Sequence, residues 1–170
     1  MKARVEERIR HSVLLDEVRG ALAASGRGER TLRVGLEVEG ILVGPDGERL
    51  PLNDPGGNGL SSRAVVAAAA RAEGWGVAEP AADPPVFELP DGASVTFEPG
   101  GQVEVRTRPM HAPASALRIA REAWRVLHRE AAARGAGLVW RGMDPVHDDA
   151  GVGLSIDSPR YVRQLRHYDT

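Results

Sequence analysis

Apolar positions first recur at helical spacing: Val5, Ile9, Val13, Val18 and Leu22 stand among charged neighbours, and Gly26 follows as a stop. The chain is therefore expected to open on an amphipathic helix. From Thr31 to Val43 the period changes to two. Leu32, Val34, Leu36 and Val38 face one way while Arg33, Gly35, Glu37 and Glu39 face the other, the pattern of a half-buried strand. Pro45-Asp46-Gly47 supplies a turn and Asn53–Gly59 a glycine-rich loop. Ser61 or Ser62 stands where a cap is needed for an Ala/Val helix that stops at Gly74, and Pro80, Pro84 and Pro85 mark a connector.

A hairpin follows. Val86–Leu89 and Ser94–Phe97 flank Pro90-Asp91-Gly92-Ala93, and the second arm is expected to resume after Pro99-Gly100-Gly101 as Gln102–Thr107. The glycine pair reads as a bulge or a close backbone approach to a ligand. Leu117, Ala120, Trp124, Leu127 and Ala131 share one face of a long helix running from Pro113 to Arg134-Gly135. Leu138, Val139 and Trp140 read as a strand, Asp148–Ser155 as a loop, and Ser158-Pro159 as the start of a last helix carrying Arg160, Arg163 and Arg166. The sum is an α+β chain, an antiparallel sheet with one polar face and helices packed on the other, forming a single domain over residues 1–170.

Composition narrows the chemistry. At 170 residues, with 42% apolar and 27% charged positions, the chain has the make-up of a folded domain rather than a disordered one. Basic residues number 22 and acidic residues 24, so nothing in the net charge of -2 attracts nucleic acid or an anionic membrane. Trp75, Trp124 and Trp140 are too dispersed along the chain for a base-stacking platform. The absence of cysteine excludes disulfides, zinc-thiolate sites and thiol nucleophiles. No apolar run approaches a membrane span, and no signal peptide is legible, which makes a soluble cytoplasmic protein the expectation. Neither GxxxxGK[ST] nor GxGxxG occurs, so Walker and Rossmann nucleotide sites have no support. The five histidines show no ligand spacing; His128 reads as an edge-of-core residue and His147-Asp148-Asp149 as an exposed loop.

Two acidic pairs stand out. Glu37 and Glu39 project from the same face of their strand. Glu98 precedes the glycine pair, and Gln102, Glu104 and Arg106 share a face opposed to Val103 and Val105. If the strands are neighbours, four carboxylates meet on one polar surface, and crowded carboxylates are relieved by a cation such as magnesium shared with substrate phosphates. A solvated outer sheet face explains the same alternation.

VGLEVEG at Val34–Gly40, FEPGGQVEV at Phe97–Val105 and SPRYVRQLRHY at Ser158–Tyr168 resemble three successive blocks of the glutamate–cysteine ligase family, in its plant and bacterial second group. The long helix between the second and third blocks and the GLVWRGMDP strand agree with it. The resemblance implies the N-terminal half of a glutamine synthetase-like fold and an ATP-dependent carboxylate–amine ligase of glutathione biosynthesis. In such an enzyme the glutamate γ-carboxylate takes the γ-phosphoryl group of ATP, and the amine of cysteine displaces phosphate. It further implies Glu37, Glu39, Glu98 and Glu104 as magnesium ligands, Gln102 and Arg106 as substrate-positioning groups, and Arg160 with Tyr161 as residues approaching the amino-acid substrate. Arg106 and Arg160 are the candidate catalytic residues. A solvated helix face is the alternative for Arg160, Arg163 and Arg166. Because family members are more than twice as long, the chain is expected to be the N-terminal part of a longer catalytic domain, inactive alone and prone to self-association. Another amine acceptor and a non-catalytic remnant binding metal or ligand remain the rival functions.

Overall fold

The computed structural model describes residues 13, 15–21, 23, 32–54, 59–78, 82–144, 153–156 and 158–168. These fall into two units divided at Leu32. In the first, residues 15–21 are helical (α1), as the spacing predicts, with Arg19 Nη1 3.7 Å from Asp16 Oδ1. Val5, Ile9, Leu22 and Gly26 lie outside the described residues, as does His147-Asp148-Asp149.

The second unit is α+β. In chain order it holds β1 (Glu37–Val43), α2 (Ser62–Glu73), β2 (Gly76–Val77), β3 (Phe87–Glu88), β4 (Ser94–Phe97), β5 (Val103–Arg106), α3 (Pro113–Ala132), β6 (Gly137–Val139) and α4 (Pro159–Tyr168). The strands form one antiparallel sheet in the order β2-β3-β4-β5-β1-β6. Among the described residues no helix is long and apolar enough to cross a membrane.

Alternation sorts the sheet into two faces. Phe87, Val95 and Val105 lie in register on the apolar side, with Val38 beyond them, and Phe97, Val103 and Gly40 form the next row. α2 contributes Val65, Val66, Ala69 and Ala70 to the same core, and α3 contributes Ile119, Ala120, Ala123, Trp124 and Leu127. Ser61 caps α2, accepting the Ala64 N–H at 3.2 Å, and Gly74 ends it in the left-handed conformation. On α3, Leu117 departs from expectation and is 51% exposed, because Ala116, Ile119 and Ala120 fill the buried stripe in its place.

Three further differences from the sequence pattern have local causes. The first strand begins at Glu37 rather than Thr31. Leu36 pairs with Thr107, its N–H donating to Thr107 Oγ1 at 2.9 Å and its carbonyl accepting the Thr107 N–H, whereas Val34 pairs with Met110. Two steps on one chain thus oppose three on the other. The extra residue is a bulge, set beside Pro109, which has no N–H to offer a ladder. Next, Pro99-Gly100-Gly101 does not let a strand resume but reverses it: Gly101 N–H donates to the Glu98 carbonyl at 2.8 Å, Gly101 takes φ +83°, and β5 returns antiparallel to β4. Finally, Trp140 lies past β6, its ring 4.7 Å from that of Trp124 and tilted by 51°. Two of the three dispersed tryptophans therefore meet, with Trp124 buried.

Candidate active site

The polar side of the sheet is built from residues that alternate with the core. Glu37, Arg106 and Ser94 stand in register across β1, β5 and β4, with Glu88 of β3 beyond them; Glu39, Glu104 and Thr96 form the adjacent row. Glu98 and Gln102 close the hairpin one step further on, where the Glu98 N–H donates to the Gln102 carbonyl at 2.9 Å. The acidic pairs thus share one face.

Burial and mutual repulsion mark this face. Glu104 is 5% exposed although charged residues are rarely so enclosed. Its pKa is raised above the ordinary carboxylate value, chiefly by burial and further by the charges of Glu37 and Glu39, against the Thr96 hydrogen bond and the Arg106 guanidinium, which lower it. Thr96 Oγ1 donates to Glu104 Oε1 at 3.1 Å, and Arg106 Nε lies 3.3 Å from the same oxygen. Glu98 is also raised, by burial first and then by Glu104, Glu39 and Glu37. Glu98 and Glu104 thus both feel the charges of Glu37 and Glu39.

Glycines set the shape of the edge. Gly100 leaves room for the Gln102 amide, since an added Cβ would lie 2.5 Å from Gln102 Oε1. Gln102 Nε2 donates to the Gly142 carbonyl at 2.7 Å, while Oε1 is buried with no partner among the described residues. Gly142 in turn lies against Glu39, an added Cβ there meeting Oε2 at 3.1 Å. Behind the turn, Arg49 donates through Nη1 to the Gly100 carbonyl and stands 3.9 Å from Asp144 Oδ2, and the Ser155 N–H donates to the Pro99 carbonyl at 2.6 Å. The E-P-G-G-Q turn is therefore held through its Pro99 and Gly100 carbonyls.

Of the residues singled out by sequence, Glu37, Glu39, Glu98, Glu104 and Arg106 are brought together, and Gln102 joins them through Gly142. Arg160 and Tyr161 stand with each other instead. The Arg160 guanidinium sits 5.6 Å over the Tyr161 ring on the first turn of α4, and that ring packs on the core. Thr96, Arg49 and Gly142 were not foreseen. Thr96 had a signal, its alternation with Val95 and Phe97; Arg49 and Gly142 arrive from distant loops and had none. His128, exposed rather than at the core edge, lines a separate cleft of about 250 Å³ with Trp124, Trp140, Arg121 and Arg125.

No curated protein matches the chain. A family model described as Glutamate-cysteine ligase family 2 matches residues 33–170. That span takes in every strand of the sheet and the whole acidic face, and the chain belongs to glutamate-cysteine ligase family 2.

Proposed function

We propose that the polar face is the cation-holding part of a γ-glutamyl ligase site. It would serve ATP-dependent joining of the glutamate γ-carboxylate to the amine of cysteine. The carboxylate oxygen attacks the γ-phosphorus of ATP and ADP departs; the amine nitrogen then attacks the acyl carbon, loses a proton, and phosphate departs. The observation that carries this reading is the convergence of Glu37, Glu39, Glu98 and Glu104, with burial and mutual repulsion raising the pKa of Glu98 and Glu104.

The donor set fits magnesium. Four carboxylates and Gln102 Oε1, which has no partner among the described residues, are hard oxygen ligands, the kind this ion takes. Among the described residues no group of three Asp, Glu or His side chains is placed to hold a metal ion by itself, so in this reading substrate phosphates would complete the ion's shell. When bound, magnesium would neutralise the phosphates and orient the transferring group. The protein's own part is to hold Glu104 through Thr96 and Arg106, and to fix the hairpin through Arg49. Gln102 and Arg106 position substrate in this reading, and Arg160 with Tyr161 approaches the amino acid.

Because the face is rich in carboxylates and offers few cations to phosphate, we read the chain as the N-terminal part of a longer catalytic domain. Calorimetry of magnesium-ATP with the full chain tests the site. Binding that falls about tenfold in both Glu39→Gln and Glu98→Gln is expected; unchanged affinity in both removes their assigned role. Cysteine-dependent phosphate release from ATP and glutamate identifies the acceptor.

A further inference from the structure

The polar face gains basic residues along its length. Toward the Pro99–Gly101 turn it carries Glu39, Glu98 and Glu104, whereas at its other end β5 runs into the bulge and supplies Arg106 and Arg108. These arginines line a cleft of about 420 Å³ together with Glu37, Ser94 and Gly92, a volume within the range of small-molecule sites. Arg106 is tied to Glu104. Arg108 is not tied: it is exposed, its side chain lies against Gly92, and among the described residues no acidic side chain pairs with it. Gly92 takes φ +79°, and a Cβ added there would sit 3.5 Å from Arg108 Cδ, an ordinary contact.

We propose that this cleft is a carboxylate subsite, in which Arg108, with Arg106 and the Ser94 hydroxyl, binds the α-carboxylate of an amino-acid substrate. A guanidinium matches a carboxylate with two parallel hydrogen bonds, which an uncharged amide or a missing group cannot reproduce. The Arg106 row and the Glu104 row are two residues apart on one strand, about 7 Å. A short dicarboxylic amino acid bridges that distance, placing one carboxylate on the arginines and the other beside the acidic cluster. The inference rests on the ligase reading for the identity of the substrates but not for the anion chemistry.

The test is calorimetry of the full chain with glutamate and its α-amide isoglutamine, and with cysteine and its decarboxylated analogue cysteamine. At least about tenfold tighter binding of the α-carboxylate partner is expected in one pair, and the pair that discriminates tells which substrate occupies the cleft. Arg108→Ala should erase the preference with an unchanged melting temperature and unchanged magnesium-ATP affinity, and Arg108→Lys should recover part of it. Equal affinity within both pairs, or a preference retained in Arg108→Ala, overturns the proposal. Failure of the ligase reading has a different signature: magnesium-ATP does not bind, while the carboxylate preference and its loss in Arg108→Ala persist.

Discussion

Glu39 and Glu104 stand directly opposite each other across β1 and β5, and Thr96, opposite Glu104 on its other flank, donates a hydrogen bond to it. Like charges facing each other on neighbouring strands disfavour a sheet. Here the repulsion is placed where Val38, Val103 and Val105 on the reverse side anchor the same strands in the core, so the fold tolerates an arrangement that it does not need for its own stability.

That tension is measurable in Glu104→Gln. Burial, ahead of Glu37 and Glu39, raises the Glu104 pKa in the folded chain. The folded state therefore holds this proton more tightly than the unfolded state. Stability from this group is fully present below the ordinary carboxylate value and is lost as pH rises from there through the raised one. Glu98 acts with the same sign. In magnesium-free buffer, the melting temperature of Glu104→Gln relative to the wild type should increase between pH 4 and pH 7. For a chain of this size, about 1 kcal/mol corresponds to roughly 2–4 °C. Identical pH profiles would show that the carboxylate carries no such penalty.

The acidic face was legible because strand alternation is a local rule: once Glu37 and Glu39 flank Val38, and Glu104 flanks Val103 and Val105, their sides are decided. What the neighbours would be was not local. Nothing near Thr31 announces that Thr107 and Met110 will receive Leu36 and Val34 with a residue to spare. Trp124 and Trp140 meet only because the chain returns after α3 to pair β6 with β1. The Pro99–Gly101 segment was seen as unusual backbone, but turn and bulge share the same glycine signal. Leu117 kept helical spacing yet lies just outside the buried stripe.

Two glycines of the site region should respond differently to alanine. At Gly40 an added Cβ would lie 2.9 Å from Trp124 Cη2 and 3.1 Å from the Val139 carbonyl, a fully buried ring and a backbone atom that cannot step aside. Gly40→Ala should cost about 1–3 kcal/mol by overpacking. At Gly100 the obstacle is the end of the Gln102 side chain, so Gly100→Ala should leave thermal unfolding nearly unchanged while displacing the amide from Gly142 and weakening substrate binding. Matching losses of stability in the two variants would contradict this contrast.

Adjacent serines at the start of α2 should have effects of opposite sign. Ser61 Oγ accepts the Ala64 N–H, and Ser61→Ala should cost about 1 kcal/mol as a lost cap. Ser62 is fully buried and its Oγ has no partner among the described residues. Removing an unsatisfied hydroxyl relieves a desolvation penalty of about 1 kcal/mol or more, so Ser62→Ala should match or exceed the wild type in denaturant midpoint. A loss in Ser62→Ala as large as that in Ser61→Ala would assign the second hydroxyl a bond as well.

Thr96→Val removes a hydrogen bond that steadies the acidic face. Thr96 Oγ1 donates to Glu104 Oε1 and is the leading influence holding that pKa down against burial. Valine keeps the strand and the shape of the side chain but cannot donate, so the carboxyl should titrate at higher pH, as read by carbon-detected NMR of the side chain. A ligating carboxylate must be deprotonated, and a proton held more tightly competes more strongly with a cation. Thr96→Val should therefore weaken magnesium-ATP binding more at lower than at higher pH, while unfolding stability falls by about 1 kcal/mol or less. A loss of affinity equal at both pH values would mean that Thr96 acts on the shape of the site rather than on the charge of Glu104.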